Sequence, residues 1–318
     1  MAKITVIGSV NMDAVAKVET FPRPGQTVSG KSIAFYPGGK GANQCIAARR
    51  FGGDVEMCGM LGQDGNGEVL RKLFLDEKIE TRYLFSCPIP TGMALILIEK
   101  SGENQITVIP SANHVFGMKE LDEIEHLLKE TKLLVLQLEL SIGVTEAMIR
   151  LAHRYGTKVL LNPAPAAPLS PEVLGMVDYF IPNETELSFY TGMPVGTDLE
   201  VEAAARKLLA LGVKTVIATL GRRGAMLVSE EQCTIVPGFP VQAVDTVAAG
   251  DSFCGAFAVA VTEGKSLVEA VRLANAMGAL TVRVEGAIPS LHTREQVETF
   301  LAYQSSMERL FLKIENNK

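Results

Sequence analysis

The sequence predicts an α/β protein, built as a three-layer α/β/α sandwich with a mainly parallel central sheet and a small β-sheet lid. From residue 118 onward, segments with helical periodicity alternate with near-continuous apolar runs, such as residues 133–136 and 213–217. Such runs are typical of parallel strands that helices cover on both faces. Two separate stretches, at about 14–36 and 92–110, alternate in polarity and predict a smaller second sheet. We therefore expect one α/β domain over residues 1–318, with a discontinuous lid made from those two stretches.

Composition and charge argue against several classes of protein. The chain has 318 residues, 47% of them hydrophobic, so it can bury a large core. Its net charge is −6 and no basic run stands out, which argues against a nucleic-acid partner. No apolar run approaches the roughly 18 residues that a membrane span needs. The five cysteines show no C-x-x-C spacing, and a strand-like segment follows the first residues directly, so we expect a cytoplasmic protein with reduced thiols and no membrane partner.

The first predicted strand leads into a polar turn. Residues 3–7 predict a buried strand, which is closed by Gly8 and Ser9 and followed by Asn11 and Asp13. Open α/β sheets bind ligands just past the carboxyl ends of their strands. An amide and a carboxylate can hold the hydroxyls of a sugar, because the carboxylate accepts and the amide both donates and accepts. The alternative is that Asn11 and Asp13 only cap a turn.

A glycine-rich segment follows the first lid stretch. Gly38-Gly39-Lys40-Gly41-Ala42-Asn43-Gln44 comes directly before a helical segment at residues 45–51. Glycine backbone lets a ligand approach closely, while Lys40 and Asn43 supply hydrogen-bond donors. The segment is not a Walker A loop, because Lys40 is followed by glycine and the spacing differs.

The next segments complete the predicted lid. A strand at 55–61 and a helix at 67–77 precede a hairpin, with strands at 93–98 and 105–109. We expect this hairpin to join the strands of residues 14–36 in one small sheet. Such a sheet would act as a lid over a binding site.

Polar residues follow each of the later strands. The predicted order is helix 118–130, strand 133–138, helix 144–155, strand 158–161, strand 179–182, helix 184–191, helix 199–211 and strand 215–219. The carboxyl ends of parallel strands meet at one edge of a sheet, so the polar residues at these ends predict a shared site. They are Glu139, Asn162, Asn183 with Glu186, and the run Thr219-Leu220-Gly221-Arg222-Arg223-Gly224.

Asn183 and Glu186 allow two interpretations. An amide and a carboxylate three residues apart share one helical face and can hold the water molecules of a metal ion. The alternative is a capping box, with Asn183 as the N-cap and Glu186 at the third helical position. The two interpretations are compatible.

The most informative stretch runs from residue 244 to residue 257. Ala248, Ala249 and Gly250 remove side-chain bulk where a helix should begin, so its free N–H groups and the positive end of its dipole favour an anion. Asp251 would repel a phosphate that is bound there as a spectator. Its position is explained if it takes a proton from a hydroxyl while the N–H groups stabilise a transferring phosphoryl group. The alternative is an ordinary helix start, in which Asp251 only complements the dipole.

Taken together, these motifs resemble the ribokinase (PfkB-type) family of carbohydrate kinases. The resemblance extends from Ile4 to about residue 300, and the order of the separated motifs is far more specific than any one of them. Other members of the family often have Gly-Ala-Gly-Asp where this chain has Ala248-Ala249-Gly250-Asp251. The motifs are Asn11-Met12-Asp13, residues 38–44, Thr91-Gly92 with Gly102-Glu103-Asn104, Gln137-Leu138-Glu139, residues 183–186, residues 219–224 and residues 245–255.

The resemblance assigns a role to each matching position. It implies Asp251 as the catalytic base, an anion hole at Ala248, Ala249 and Gly250, and Glu186 as a magnesium residue that acts through water. The implied sugar contacts are Asn11, Asp13, Gly39, Lys40, Gly41, Ala42, Asn43 and Glu139. The implied nucleotide contacts are Asn183, Thr219, Leu220, Gly221, Arg222, Arg223, Gly224, Gly250 and Asn275. The implied potassium positions, mostly through backbone carbonyls, are Asp245, Val247, Thr281, Val284, Gly286 and Ser290.

The resemblance also implies an activity. We expect ATP-dependent phosphorylation of D-ribose at its 5-hydroxyl, with Mg²⁺ and an activating K⁺, by a homodimer that associates through the lid. One alternative is another acceptor on the same scaffold, such as deoxyribose, fructose, adenosine or pseudouridine. The other is a catalytically silent sugar-binding module, since a fold does not determine a function.

Overall fold

The computed structural model describes residues 4–315, with side chains up to residue 306. Within them, nine strands form one large sheet and four form a smaller one. Lys3, the predicted first residue of the first strand, lies outside the described residues. The large sheet contains β1 (Ile4–Ile7), β4 (Val55–Gly62), β5 (Leu84–Cys87), β8 (Leu133–Leu136), β9 (Lys158–Leu161), β10 (Tyr179–Phe180), β11 (Thr215–Thr219), β12 (Gly224–Ser229) and β13 (Cys233–Pro237). The small sheet contains β2 (Asn11–Val18), β3 (Gly30–Gly38), β6 (Met93–Ile98) and β7 (Asn104–Ile109).

The large sheet has the strand order β13-β12-β11-β10-β9-β8-β1-β4-β5. All neighbouring strands from β11 to β5 pair in parallel, whereas β12 and β13 pair antiparallel at one edge. The carboxyl ends of seven parallel strands therefore face the same side of the molecule, which is the side where the sequence concentrates polar residues.

Helices cover both faces of this sheet. They are α1 (Lys40–Arg50), α2 (Gly65–Asp76), α3 (Met118–Leu128), α4 (Ile142–Tyr155), α5 (Pro171–Leu174), α6 (Glu184–Thr191), α7 (Asp198–Ala210), α8 (Ala249–Thr262), α9 (Leu267–Thr281) and α10 (Arg294–Glu315). None of the helices in the described part of the chain is both long and apolar enough to cross a membrane.

The alternation of side chains along β8 separates the core into two layers. Leu133 and Val135 pack in the cluster that contains α1, α8 and α9, whereas Leu134 and Leu136 pack in the cluster that contains α3, α4 and α7. All four side chains are buried because the strand has a helical layer on each side. This explains the continuous apolar runs in the sequence, and the predicted α/β/α fold class is confirmed.

The small sheet has the order β3-β2-β6-β7 and lies over the carboxyl edge of the large one. Its two outer pairs are antiparallel and its central pair, β2 with β6, is parallel. The two predicted lid stretches therefore do form one sheet. Because Asp13 of β2 is one residue away from the Ala14–Leu95 pair, Asp13 and Ala94 share the face that lies over the site.

Most predicted elements are present, with bounds that differ by a few residues. Helix α2 starts at Gly65 rather than residue 67, because the Asp64 side chain caps it by accepting from the Gly67 N–H. Helix α7 starts at Asp198 rather than residue 199, because Thr197 forms a capping box with Glu200. The predicted strand 133–138 ends at Leu136, since the chain turns toward the site at the polar residues that follow.

One side chain ties the base of the lid to the body of the protein. The Asp64 carboxylate accepts from the Thr91 N–H at 2.8 Å and from the Thr91 hydroxyl at 2.7 Å, directly before β6. Asp64→Asn cannot accept all of these bonds, so we expect it to lower the free energy of unfolding by about 1–3 kcal/mol. We also expect the KM for the sugar that the resemblance implies to rise several-fold, because β6 carries part of the predicted site. Denaturant titration and initial-rate kinetics measure the two effects.

The matched control is Asp76→Asn at the end of the same helix. The Asp76 carboxylate is 62% exposed and pairs with Lys72 at 2.6 Å. Loss of such a surface pair should cost less than about 1 kcal/mol and leave KM unchanged. Equal effects of the two substitutions would show that Asp64 does not hold the lid.

Candidate active site

Two adjoining cavities lie at the carboxyl edge of the large sheet. One, of about 480 Å³, lies beneath the small sheet, and the other, of about 470 Å³, lies beside the start of α8. Both are lined by Asn183, Thr219, Thr246 and Gly250, so they meet there. We call them the lid cavity and the outer cavity. Their arrangement suits two substrates that react where the cavities join.

Most of the predicted site residues line these cavities. Those in the lid cavity are Asn11, Asp13, Gly39, Lys40, Asn43, Glu139, Asn183, Glu186, Thr219, Val247, Ala248, Gly250 and Asp251. Those in the outer cavity are Asn183, Thr219, Gly221, Arg222, Gly224, Ala249, Gly250 and Asn275. Residues up to 264 positions apart in the chain, from Asn11 to Asn275, therefore lie around these two cavities. Those at the ends of the parallel strands meet at one edge of the sheet, as the strand-end pattern predicts.

Four predicted contact residues line neither cavity. Gly41 lies in the first turn of α1, where a Cβ would come within 2.6 Å of the Gly8 backbone, and Ala42 is fully buried beside it. Leu220 is buried under the turn that follows β11. Arg223 faces outward and pairs with Glu184 at 2.6 Å and with Asp198. These residues shape the backbone around the site, and contact with a ligand stays a prediction for each of them.

Asn11 is held by a buried partner. The Asn113 amide, which is 1% exposed, donates to the Asn11 Oδ1 atom at 2.8 Å and accepts from the Val10 N–H at 2.9 Å. Gly92 bridges to Asn11 from the start of the lid, and a Cβ there would come within 2.4 Å of the Asn11 side chain. The orientation of Asn11 is thus set by residues outside its own turn.

Asp13 carries the most perturbed carboxyl of the site. Burial, together with the negative charges of Glu139 and Asp251, raises its pKa from 3.8 to about 7. Its Oδ1 atom is buried and has no hydrogen-bond partner among the described residues. The absence of a side chain at Gly38 makes room for it, since a Cβ there would lie 2.2 Å from Asp13 Oδ2. A buried acceptor that faces a polar cavity is suited to the hydroxyl of a ligand.

Lys40 and Glu139 lie side by side at the start of α1. Burial lowers the pKa of Lys40, but the carboxylates of Asp251, Glu139 and Glu186 outweigh it, so the net shift is upward and the ammonium stays charged. The Glu139 carboxylate accepts from the Ser9 hydroxyl and, at 3.2 Å, from the Lys40 N–H. Gly39 adopts a φ of 91° at the N-cap, which glycine tolerates without strain.

The predicted anion hole is at the start of α8. Ala248 adopts a left-handed φ of 61° as the N-cap, and its side chain cannot cap the helix. The Ala249 N–H donates to the Thr246 carbonyl at 3.3 Å, so the N–H groups of Gly250 and Asp251 are left at the open end of the helix. The start of α8 can therefore bind an anion at the junction of the two cavities.

Asp251 has two amide donors. The Asn43 side chain donates to Oδ2 at 2.9 Å, and the Gln44 side chain donates to Oδ1 at 3.0 Å. Gln44 is also bonded to Gln137 and Asn162. The sequence predicts no site role for Gln44 or Gln137, although both stand in motifs quoted above. Asn162 lies at a predicted strand end and lines the lid cavity.

Asn183 and Glu186 form the capping box. The Glu186 N–H donates to Asn183 Oδ1 at 2.8 Å, and the Asn183 N–H donates to Glu186 Oε2 at 2.8 Å. Both side chains also line the lid cavity. Burial raises the pKa of Glu186, against hydrogen bonds from Asn183 and the charge of Lys40, while the charge of Asp251 raises it further. The capping bonds leave lone pairs on the Glu186 carboxylate, so the residue also fits the hydrated magnesium ion that the resemblance implies.

The predicted potassium positions are only partly together. The Asp245 carboxylate accepts from the Val247 N–H at 3.0 Å and from the Gly286 N–H at 2.8 Å. The Val284 N–H donates to the Thr281 carbonyl at 3.2 Å, and the Ser290 carbonyl contacts His292 at 2.7 Å. The carbonyl oxygens of these segments keep a second lone pair, which a hard cation could use. Among residues 4–306, no group of three or more His, Cys, Asp or Glu side chains forms a metal site.

Comparison with known proteins gives a consistent result. Residues 1–294 match a family model described as pfkB family carbohydrate kinase. Ribokinase of Haemophilus influenzae is 38% identical over 301 residues, which are 94% of this chain and 98% of that one. Deoxyribokinase of Salmonella typhi is 35% identical over 301 residues, also 94% and 98%. The structure of Arabidopsis thaliana ribokinase complexed with ribose and ATP superposes with a TM-score of 0.88 at 33% identity, covering 94% of this chain and 98% of that one.

Proposed function

Since the chain belongs to the pfkB family of carbohydrate kinases, we propose that it transfers the γ-phosphoryl group of ATP to the 5-hydroxyl of D-ribose. The products are ribose 5-phosphate and ADP. The observation that carries this proposal is the junction of two cavities at the start of α8, where Asp251 stands beside free N–H groups. A base and an anion site at one point are what phosphoryl transfer to an alcohol requires.

The lid cavity takes the sugar. Its polar residues include carboxylates, amides and one ammonium, which together can pair with every hydroxyl of a pentose. Asp13 Oδ1 and Asn43 Oδ1 are buried acceptors without a partner in the described residues, so a bound hydroxyl would satisfy them. The apolar side chains of Ala94 and Ile96, on the lid, cover the cavity and exclude water from the reaction.

The outer cavity takes the nucleotide. Its apolar lining includes Phe239, Val241, Ala279 and Val282, which suits the faces of a purine ring. Asn275 lies in this lining, although its amide already donates to the carbonyls of Val236 at 2.9 Å and Pro237 at 3.2 Å. The phosphates would extend from here to the start of α8.

Asp251 acts as the base in this arrangement. Its carboxylate accepts the proton of the sugar hydroxyl as the hydroxyl oxygen attacks the γ-phosphorus. The N–H groups at the start of α8 stabilise the charge that spreads over the transferring oxygens. Glu186 would hold a magnesium ion through water, and the charge of that ion would neutralise the phosphates.

The first experiment is ADP release with a panel of sugars and nucleosides, with and without potassium. We expect the highest kcat/KM on D-ribose and a higher rate with potassium than with sodium. The panel includes 2-deoxyribose because one relative is a deoxyribokinase. A preference for 2-deoxyribose would support the kinase chemistry and overturn the ribose assignment. Sugar binding without ADP release from any acceptor would favour the silent module, and equal rates in potassium and sodium would overturn the potassium site.

We also propose that the protein is a homodimer that associates through the lid. The lid face away from the site carries Ile33, Phe35 and Leu95, with 62%, 56% and 44% of their surface exposed. Ala14 pairs with both Phe35 and Leu95, so these side chains share one face. An apolar sheet face of this kind is suited to a second copy of itself.

Charge on this face should separate the subunits. We expect Phe35→Glu to convert a dimer into a monomer in sedimentation velocity at micromolar concentration, because a buried unpaired charge opposes association. The control is Leu199→Glu, at an apolar side chain that is 79% exposed on α7, which should leave the dimer intact. A monomeric unmodified protein would contradict the proposal.

A further inference from the structure

A series of hydrogen bonds between buried side-chain amides connects the core with Asp251. Gln137, 2% exposed, donates from Nε2 to Gln44 Oε1 at 2.8 Å. Gln44, fully buried, donates from Nε2 to Asp251 Oδ1 at 3.0 Å and to Asn162 Oδ1 at 3.1 Å. Neither glutamine lines the lid cavity or the outer cavity.

Two groups at the ends of this series of hydrogen bonds, the Ile181 carbonyl and the Asp251 carboxylate, can only accept. They fix the direction of every hydrogen bond between them. Asn162 donates from Nδ2 to the Ile181 carbonyl at 2.9 Å, which leaves its Oδ1 to face Gln44. Gln44 then faces two acceptors, Asn162 Oδ1 and the Asp251 carboxylate, and must present its NH₂ group to both. Its Oε1 is therefore turned toward Gln137, which has to donate.

The Gln137 side chain makes only some of the hydrogen bonds that it could make. Its Oε1 atom is buried without a hydrogen-bond partner among the described residues, close to Gly8, where a Cβ would come within 2.0 Å of it. A buried acceptor without a partner costs stability. A side chain of similar volume without polar atoms would avoid that cost but would leave Gln44 Oε1 without its donor, so the benefit of a glutamine here is the orientation of Gln44.

We propose that Gln137 and Gln44 are positioning residues for Asp251, which they hold as an acceptor in one orientation. Gln44 gives the carboxylate a donor at Oδ1, as Asn43 does at Oδ2, and each oxygen keeps a lone pair for the sugar hydroxyl. Gln137 prevents the Gln44 amide from rotating by half a turn, which would place an oxygen against the carboxylate. This inference rests on the proposed role of Asp251 as the base.

Other charged and titratable groups act on Asp251 from the elements around it. Asp13 faces it from the lid, Lys40 from the start of α1, Glu186 from α6 and Cys254 from its own helix. None of them is altered in the variants below. Any change in the rate profile can therefore be traced to the two glutamines.

The alternative is a purely structural role, in which the glutamines only connect the end of β8 with α1 and α8. A structural role predicts lower stability, with any loss of activity independent of Asp251. A positioning role predicts a lower kcat at nearly unchanged sugar KM, a dependence on Asp251, and no greater loss of stability than the loss of a buried hydrogen bond elsewhere.

The test compares Gln137→Met and Gln44→Met, each alone and combined with Asp251→Asn. The acceptor is whichever sugar the unmodified protein phosphorylates fastest, so that an error in the ribose assignment leaves the test intact. We expect kcat to fall about 10-fold in Gln137→Met and about 10²-fold in Gln44→Met, with the sugar KM within about 3-fold. In the Asp251→Asn background, neither change should lower kcat by more than about 2-fold, because the group that they position is gone.

The matched control is Thr131→Val at the opposite end of the same strand. Thr131 is buried and shares a 2.6 Å hydrogen bond with Thr5, far from the site. The Tm of Thr131→Val should fall, whereas its kcat should stay unchanged. The Tm of Gln137→Met should fall no further than the Tm of this control.

Three results would overturn the inference while the proposed function stands: an unchanged kcat in Gln137→Met, a loss that persists in full in the Asp251→Asn background, or a KM that rises in proportion to the loss of rate. An unmodified protein that phosphorylates no sugar would overturn both.

Discussion

Replacement of Asp251 by Asn should lower kcat by about 10²–10⁴-fold and leave the protein folded, which is the usual contribution of a positioned base. The amide has nearly the same size and occupies the same place at the third position of α8. It cannot take the proton of the sugar hydroxyl, and only one of its two polar atoms can accept a bond from Asn43 or Gln44. The sugar KM should change much less than kcat, because the proposed sugar contacts come mostly from other residues. Steady-state ADP release and Tm measure the two expectations.

The matched control tests whether Asp251 only complements the helix dipole. Glu269 stands at the third position of α9, as Asp251 does in α8, but it is exposed and pairs with Lys265 at 2.9 Å. Glu269→Gln removes the same interaction with a dipole and should leave kcat unchanged. A wild-type rate in Asp251→Asn would remove Asp251 from the role of base.

Replacement of Asp13 by Asn should weaken sugar binding and stabilise the sugar-free protein. The carboxylate should accept two hydroxyls, and a site built for such bonds loses affinity steeply when an acceptor is removed, so we expect the sugar KM to rise by about 10²-fold or more. The stability effect has the opposite sign, because burial and the charges of Glu139 and Asp251 raise the Asp13 pKa to about 7. Measurement of KM and of Tm on the same variant separates the two.

The pH dependence of the Asp13 effect follows from linkage. The folded pKa lies above the unfolded value of 3.8, so the folded state binds this proton more tightly and the wild type loses stability as pH rises toward 7. The Tm gain of Asp13→Asn should therefore be largest above pH 7, shrink as pH falls, and vanish below about pH 4. Asp76→Asn, at an exposed carboxylate, should show no such gain. A Tm gain that is constant from pH 4 to pH 8 would contradict the raised pKa of Asp13.

The strand-end residues were the part of the site that could be predicted best. Glu139, Asn183 and Thr219 stand at or just after the ends of separate apolar strands, and parallel pairing brings these carboxyl ends to one edge of the sheet. Asp251 could be singled out because the small residues before it mark a helix start. These are local features of the sequence. They can be recognised without knowing how distant parts of the chain pack together.

Contacts between distant segments could not be predicted in this way. Gln44 and Asp251 are 207 residues apart, and Gln137 lies 93 residues from Gln44, so no periodicity in the chain relates them. Arg223 stands in a motif assigned to the nucleotide, yet its partners Glu184 and Asp198 draw it to the surface. Which way a long side chain turns depends on neighbours from other elements.

The sequence by itself determined the α/β/α fold class, the two lid stretches and the edge of the sheet where the site lies, because these follow from hydrophobic periodicity and from the direction of parallel strands. The tertiary structure alone decided that Glu186 both caps its helix and lines the cavity, that Asp13 faces inward with its pKa raised to about 7, and that two glutamines reach Asp251 through the core. Those features depend on burial, strand register and long-range hydrogen bonds, which arise only when separate parts of the chain pack together.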